Sequence, residues 1–471
     1  MEFEHLKGIE IYTLVNDDSK IFAEYTVQGV DKTMPDVLKI TDIDSPKFAS
    51  YLRTVIIPNM DDKVTAKKIV QDIHDYINVY GCDDKIETKV RTAGKLSDDV
   101  IEYALYNNAQ EYVRITKNGW DVVSSSKNKF IASAMSTEQI RPKKSIKNLI
   151  DLLSPYLNTD KHSMQLITAW LVQAFCEGDH HPLLISAPSG CGKSVLTEIL
   201  RTIIDPAKAD ICAMNTKGDN LLTALTNSYL VAFDNTRTLC KDESDILCIA
   251  VTGGTYSKRE AFSTNTNAVF RLHNSLILNG IDIIPTESDF AQRCLLLKLK
   301  AISPQKRLLK SEINKRFAED LPYILGAIFD TLSKAMHVIH TVKISEKSRM
   351  ADAQFEMLAI SIALGLSQED FQNIYQENKS ELDRQRSKTE LFYAVLEYMN
   401  KIDGNSVEGT VSQVFAKISN SYSGGKSALP KSPSQFSRKL NSEFQTFLAA
   451  GIRINLDDTF ADGTHIKIIK K

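Results

Sequence analysis

The sequence predicts a multidomain α/β protein: a phosphate-binding-loop core, preceded by an N-terminal α+β domain and followed by a helical lid and a winged helix. Three stretches carry that prediction. Ala187 to Ser194, APSGCGKS, lies between the apolar run PLLISA and the amphipathic run KSVLTEILRTII, the strand, turn and helix order such a loop needs. SYLVAFDN, residues 228–235, is a buried-type strand with an acid at its carboxyl end. From about Arg386, three helical runs followed by IRINL and THIKII describe a winged helix.

The 471 residues have room for several domains, and we place boundaries at 1–140, 141–302, 303–385 and 386–471. In the first, IEIYTLV and IFAEYTV bracket the turn-like NDDSK as a hairpin. VTAKKIVQDIHDYINVYG then spaces Ile69, Val70, Ile73, Tyr76 and Ile77 as one helix face, with Gly81 as the stop. Two turn signals, NNAQ and KNG, divide a β-meander between about Lys89 and Ile131. SAMSTEQIRPKKS reads as a linker. SIKNLIDLLSPYL and MQLITAWLVQAF lead as helices into the core, and residues from Ser303 to about Asn378 form the helical lid.

Composition excludes several classes. With 43% hydrophobic and 25% charged residues and a net charge of −2, the chain is an ordinary globular protein without a global basic field for nucleic acid. The first twenty residues have no basic start followed by an apolar run, and apolar stretches elsewhere are broken by charges. The expectation is a cytoplasmic protein with no membrane partner. Seven scattered cysteines without a Cys-x-x-Cys pair point away from disulfides and zinc, and CEGDHH, residues 176–181, reads as a loop rather than a metal site. From Val411 onward, nine Lys and Arg stand against four acids, a local excess that suits DNA or a solvated face.

The loop fixes the chemistry. Successive backbone N–H groups and a helix N-terminus point at phosphates, the lysine reaches the β and γ oxygens, and the hydroxyl binds Mg²⁺. ATP and Mg²⁺ are therefore the expected ligands, held by Pro188, Ser189, Gly190, Cys191, Gly192, Lys193 and Ser194. Ala187 replaces the usual first glycine as the smallest residue with a Cβ. Asp234 is the second metal-directed group. Asn235 stands where a glutamate that polarises the attacking water is common, and an amide orients water without taking its proton; Asp242, Glu243 and Asp245 are nearby acids. NSLILNG ends a strand at Asn279, placed for the γ-phosphate or the water, or simply turning the chain. Arg293, in SDFAQRCLLLKL, suits an arginine finger reaching a neighbour's γ-phosphate or a plain surface cation.

The order of loop, FDN, TGGTYSKRE, strand ending in NG and DFAQRCLLLKL resembles the AAA+ helicase part of phage and plasmid primase-helicases. It looks most like the self-loading replication helicases or initiators of phage-satellite pathogenicity islands, related to superfamily-three helicases. RITKNGWDVV, SRMADA and PSQFSRKLNSEFQTFLAAGIRINL support the likeness from about Lys89 onward. The resemblance implies an AAA+ core, a homo-hexameric ring, ATP hydrolysis between subunits, 3′ to 5′ movement on single-stranded DNA, action on forked DNA, and partners such as a primase. It assigns Lys193, Ser194, Asp234, Asn279 and Arg293 the roles above. It also implies a channel hairpin, here TYSKREAFSTNTNAVFRL joined at Thr264 to Asn267, with Lys258 and Arg259 at its base for DNA phosphates, or as ordinary hairpin or nucleotide-side charges. No polymerase-type acidic constellation appears in the first hundred residues, so that region reads as an adaptor or collar. In SPSQFSRKLNSEF, Phe436, Leu440, Phe444 and Leu448 form an inner stripe, leaving Arg438 and Lys439 for DNA or a protein surface.

Three functions compete: a helicase that loads itself in replication of a mobile element, an origin-binding ATPase initiator without processive unwinding, and a protein-remodelling ATPase. The last wants an aromatic pore loop, for which Tyr256 and Phe262 are the candidates.

Overall fold

The computed structural model describes the chain apart from residues 1–5, 7, 15–16, 29–36, 61–63, 134, 210, 215–217, 237–238, 260–266, 282–284, 286, 304, 306, 387–389, 403, 424–428, 461–462 and 471. It divides into two compact units: Met1–Ile283 with Glu287–Tyr375, and Ile284–Thr286 with Gln376–Lys471.

The first unit begins with the expected hairpin, Ile9–Leu14 antiparallel to Asp17–Val27, extended by Val37–Asp42 on one edge and by the parallel Lys85–Ile86 on the other. Its inner face, with Ile11, Ile21 and Tyr25, is covered by Phe48, Ile69, Ile73 and Ile77. The helix Ala66–Tyr80 starts at Thr65, whose hydroxyl accepts the Lys68 N–H at 3.2 Å, and stops at Gly81 with φ +76°. The glycine stop is the one the sequence predicts, and the structure adds a side-chain N-cap at Thr65.

The meander follows as Thr92–Ala93, Val100–Ala104, Tyr112–Thr116 and Gly119–Val123, antiparallel throughout. Its inward residues Ile101, Tyr103, Val113, Ile115 and Trp120 belong to the same hydrophobic cluster as the loop helix and the long helix Lys310–Val338. Trp120 Nε1 donates to Asp330 Oδ1 at 2.9 Å, and Ser333 Oγ to Thr116 O at 2.7 Å. The stretch read as a linker is also fastened here. Lys143 N–H donates to Pro322 O at 2.8 Å, and a Cβ on Gly326 would stand 1.8 Å from Lys143 O, so only glycine admits the crossing. Fully buried Arg91 joins the same parts: its Nε donates to Asp205 Oδ1 at 2.9 Å and its Nη2 to Thr137 O at 2.9 Å. Asp205 caps the end of the loop helix, so this ion pair ties meander, linker and helix together.

The central sheet is wholly parallel, in the order Cys212–Ala213, Leu230–Asp234, Ser275–Gly280, Leu183–Ser186, Leu295–Lys298. Numbered along the chain these strands run 2-3-4-1-5. Leu183–Ser186 and Ser275–Gly280 are buried at every position, as strands covered on both faces require. The helices Lys310–Val338 and Ala351–Ala363 close over this core, contributing Phe329, Met336, Met357 and Leu358 to the shared cluster.

The second unit has the helices Glu390–Lys401, Val411–Ser421, Pro433–Ser442 and Phe444–Ala449, and a sheet in the order Ser406–Thr410, Gly463–Lys470, Ile452–Phe460. Two details differ from the sequence reading. Ser406–Thr410 is a third strand that the polar run SVEGT did not announce. The expected single helix breaks at Glu443, which has φ −102° and ψ 9°. The stripe therefore slips by one residue: Phe436, Leu440 and Phe447 are buried, while Leu448 is 42% exposed.

Candidate functional site

Leu183–Ser186 delivers the chain into the loop, and Lys193–Ile204 takes it out. Gly190 and Gly192 have φ of +79° and +83°, left-handed conformations that suit glycine. Ala187 does not need one, which is why it serves in place of the usual glycine: its carbonyl accepts Lys193 Nζ at 2.6 Å. Lys193 Nζ also donates to Pro188 O at 3.0 Å. Pro188, Ser189 and Gly190 are exposed and Cys191 is buried beneath them. No side chain caps the helix at Gly192, which leaves its first N–H groups without a side-chain acceptor, the arrangement that receives a phosphate.

The other residues expected at this site gather at the same edge of the sheet. Register places Ile185 beside Asn279 and Phe233 beside Leu278, which brings Asp234 alongside the loop. Ser194 Oγ donates to Asp234 Oδ2 at 3.1 Å. This hydroxyl and carboxylate form the donor set that fits Mg²⁺ beside a nucleotide. Asn279 is completely buried; its Nδ2 donates to Thr197 Oγ1 at 3.0 Å and its Oδ1 accepts the Asn235 N–H at 3.4 Å. It thus links the loop helix to the acidic strand. Thr197, one turn after Lys193 on the helix, is the partner that sequence reasoning did not name.

Asn235 has φ +52°, and its N–H also donates to Asp234 Oδ1 at 2.8 Å. Asn tolerates this left-handed conformation far better than Glu does, so backbone shape accounts for the residue that looked like a missing base. Of the neighbouring acids, Glu243 is committed to the Cys240 N–H at 2.9 Å, whereas Asp242 and Asp245 are exposed.

Arg293 lies elsewhere. Leu295 pairs with Leu183 and Lys298 with Ser186, so Arg293 precedes its strand at the edge opposite the loop. At ~3.3 Å per residue the separation is on the order of 15–20 Å, beyond one side chain's reach. Arg293 Nη2 meets Asp289 Oδ2 at 3.3 Å, and Nη1 lies 3.9 Å from Met350 Sδ, while its Nε is buried with no hydrogen-bond partner among the described residues. Arg349, within SRMADA, binds the other oxygen of Asp289. Desolvation pushes the Asp289 carboxyl up, but a Cys248 thiol hydrogen bond and the two guanidinium groups hold it below its ordinary range.

Behind this edge lies a buried polar chain. His180 Nδ1 meets Gln173 Oε1 at 3.0 Å, Tyr229 OH meets His180 Nε2 at 3.0 Å, and Gln173 Nε2 donates to Glu356 Oε2 at 2.8 Å. Burial lowers the His180 pKa to about 3, with the His273 ring acting the same way. Burial raises Glu356 to about 7, against hydrogen bonds from Gln173 and the Leu96 backbone. His181, the next residue along the backbone after His180, meets Arg293 O through its Nδ1 at 2.5 Å. The described residues contain no His, Cys, Asp and Glu cluster fit for a metal ion.

The expected hairpin is present as Gly254–Arg259 paired with Asn267–Leu272. Its ladder starts at Gly254 and Leu272 and ends with Lys258 beside Ala268 and Arg259 beside Asn267. Those two cations therefore stand toward the tip rather than the base. Their side chains, and residues 260–266 with Phe262 and Thr264, lie outside the described residues. In the second unit, Arg438 and Lys439 are exposed on Pro433–Ser442. Arg438 borders a cavity of about 400 Å³ whose lining also includes Thr410, Val411, Ser412, Pro433, Ser437 and Thr464. No helix among the described residues is long and apolar enough to cross a membrane.

Comparison with known proteins bears on the central segment. Residues 146–375, just under half of the chain, match the family model of the actinomycete integrative conjugative element replication protein. No curated protein matches the chain. Solved structures of the NrS-1 C-terminal region are similar over the whole length: an A-form apo structure at 11% identity and TM-score 0.42, covering 98% of this chain and 97% of that one, and an apo structure at 12% and 0.41, covering 100% and 99%. The segment that carries the loop, the acid and the arginine edge is thus similar to a replication-protein family.

Proposed function

We propose that this chain is an AAA+ DNA helicase: an ATPase working as a homo-hexameric ring that moves 3′ to 5′ on single-stranded DNA and loads itself during replication of a mobile element. The observation that carries the reading is the meeting of Ser194 and Asp234 at 3.1 Å beside an uncapped helix N-terminus on a 2-3-4-1-5 parallel sheet. The family match of residues 146–375 supports replication as the process.

In this reading Lys193 leaves the Ala187 and Pro188 carbonyls for the β and γ oxygens of ATP, and Pro188, Ser189, Gly190, Cys191 and Gly192 present backbone to the phosphates. Ser194 and Asp234 would hold Mg²⁺, which supplies charge neutralisation at the phosphates when bound. Asn279 positions Asn235 and Thr197, and Asn235 orients water. Arg293, out of reach of its own loop, supports a role on a neighbour's nucleotide, which makes assembly a condition for hydrolysis. Lys258, Arg259, Arg438 and Lys439 supply phosphate contacts to single-stranded or forked DNA, and a primase is a fitting replication partner.

The amide at Asn235 favours one alternative, an origin-binding initiator that uses ATP as a slow switch without processive unwinding. One assay separates them: ATPase with and without single-stranded DNA, alongside unwinding of a tailed duplex. Stimulated turnover with unwinding is expected. Normal ATP binding without stimulation or unwinding overturns the helicase reading, and stimulated turnover without unwinding selects the initiator.

A further inference from the structure

The segment leaving the last strand of the parallel sheet runs back over the loop. Ile302 Cδ1 lies 3.7 Å from where a Cβ on Gly192 would stand, and Arg307 Nη2 lies 3.3 Å from the same point on Gly190. Three residues later, Lys310 Nζ meets Glu198 Oε2 at 2.6 Å, fastening the start of Lys310–Val338 to the loop helix. Arg307 is exposed, and among the described residues it has no hydrogen bond or ion pair. An exposed arginine is ordinary in itself. One laid against the glycine of a phosphate loop, while Lys193 is bound to the loop's own carbonyls, is a cation at the place where anionic charge would arrive.

We propose that Arg307 is a phosphate contact supplied by the same chain: its guanidinium takes the terminal phosphate of a nucleoside triphosphate in the loop, and the short run from Arg307 to Lys310 passes that contact to the helix Lys310–Val338. The inference rests on the reading of the loop as a nucleotide site. A planar fork of N–H donors suits phosphate oxygens. Arg293 cannot do this within one chain, because it stands at the other edge of the sheet.

The test uses the full chain and fluorescently labelled ATP and ADP, titrated against wild type, Arg307→Ala, Arg307→Lys and Lys193→Ala. Arg307→Ala is expected to weaken ATP about tenfold, the loss of a hydrogen bond to a charged group, and ADP much less. Arg307→Lys is expected to recover part of the difference, and carries the comparison alone should Arg307→Ala melt early. Equal affinities to wild type, or equal losses for ATP and ADP, overturn the proposal. If wild type and Lys193→Ala both fail to bind, the nucleotide site itself falls; if only Lys193→Ala loses ATP and Arg307→Ala keeps it, Arg307 alone is refuted.

Discussion

At the edge where the parallel strands end, Lys193, Ser194, Thr197, Asp234 and Asn279 reach the loop and one another within a single chain. At the edge where the strands begin, Arg293 and Arg349 share the carboxylate of Asp289. The first edge is assembled by strand register; the second holds cations that this chain offers no phosphate. Under the proposed function, such a division is what a catalytic site shared between neighbouring copies would require.

The hardest blow to that comparison strikes both edges at once. Lys193→Ala is expected to cut ATP hydrolysis by about 10²- to 10³-fold, as loss of a transition-state charge contact does. Arg293→Ala should remove about 10³- to 10⁵-fold, the range of documented arginine fingers, with ATP binding retained. Mixed in varying ratio, the two variants should recover activity, because a wild-type loop then faces a wild-type arginine at some interfaces. No recovery at any ratio means the edges are not complementary halves.

Asn235 sharpens the loop side. Its φ of +52° is read best by replacement. Asn235→Gly keeps the conformation and removes the amide, so turnover should fall by up to about 10²-fold, the lower end of what a positioned catalytic group supplies, with an unchanged melting temperature. Asn235→Glu adds a base but forces a left-handed glutamate, at a cost of about 1–2 kcal/mol. Faster turnover in a less stable protein is expected; a glutamate variant that is neither faster nor less stable contradicts the backbone account.

The hairpin between the acid strand and the Asn279 strand belongs to neither edge. Lys258→Ala should leave ATP binding intact and reduce the slope of log affinity for single-stranded DNA against log salt by about 0.7. An unchanged slope removes Lys258 from the DNA path.

Much of this was legible before the structure, and the pattern of what was not is physical. The strands that lead into APSGCGKS and FDN are legible because a buried parallel strand is a continuous apolar run. The helix Ala66–Tyr80 was found through its period and its stop glycine. The strand Ser406–Thr410, SVEGT, was missed because a short edge strand with one buried residue, Val407, has no period to detect. The slip at Glu443 escaped because Phe444, Phe447 and Leu448 fit more than one helical phase. The left-handed conformation of Asn235 is not legible in the sequence, since positive φ is a property of the backbone. Arg307 and Thr197 gave no signal, because their value comes from where the chain returns.

Glu356 provides the mildest test of whether the two edges are held separately. It lies behind the arginine edge, through Gln173 and His180, with His181 bound to the Arg293 carbonyl. Burial raises its pKa from the ordinary 4.5 to about 7 in the folded chain. A group raised in this way binds its proton more tightly folded than unfolded, so its share of stability is full below about pH 4.5 and is lost as pH climbs through 7. Glu356→Gln keeps an acceptor for Gln173 but cannot ionise. Its melting temperature relative to wild type should therefore rise between pH 5 and 8, by a few degrees for a cost on the order of 2 kcal/mol. ATP affinity should not move, since the loop edge is fixed by Asn279 and Thr197 instead. Parallel melting curves across that range would show that the carboxyl does not carry the charge burden its burial implies, whereas a shift in ATP affinity would show that the buried chain reaches through the sheet and the two edges are one unit.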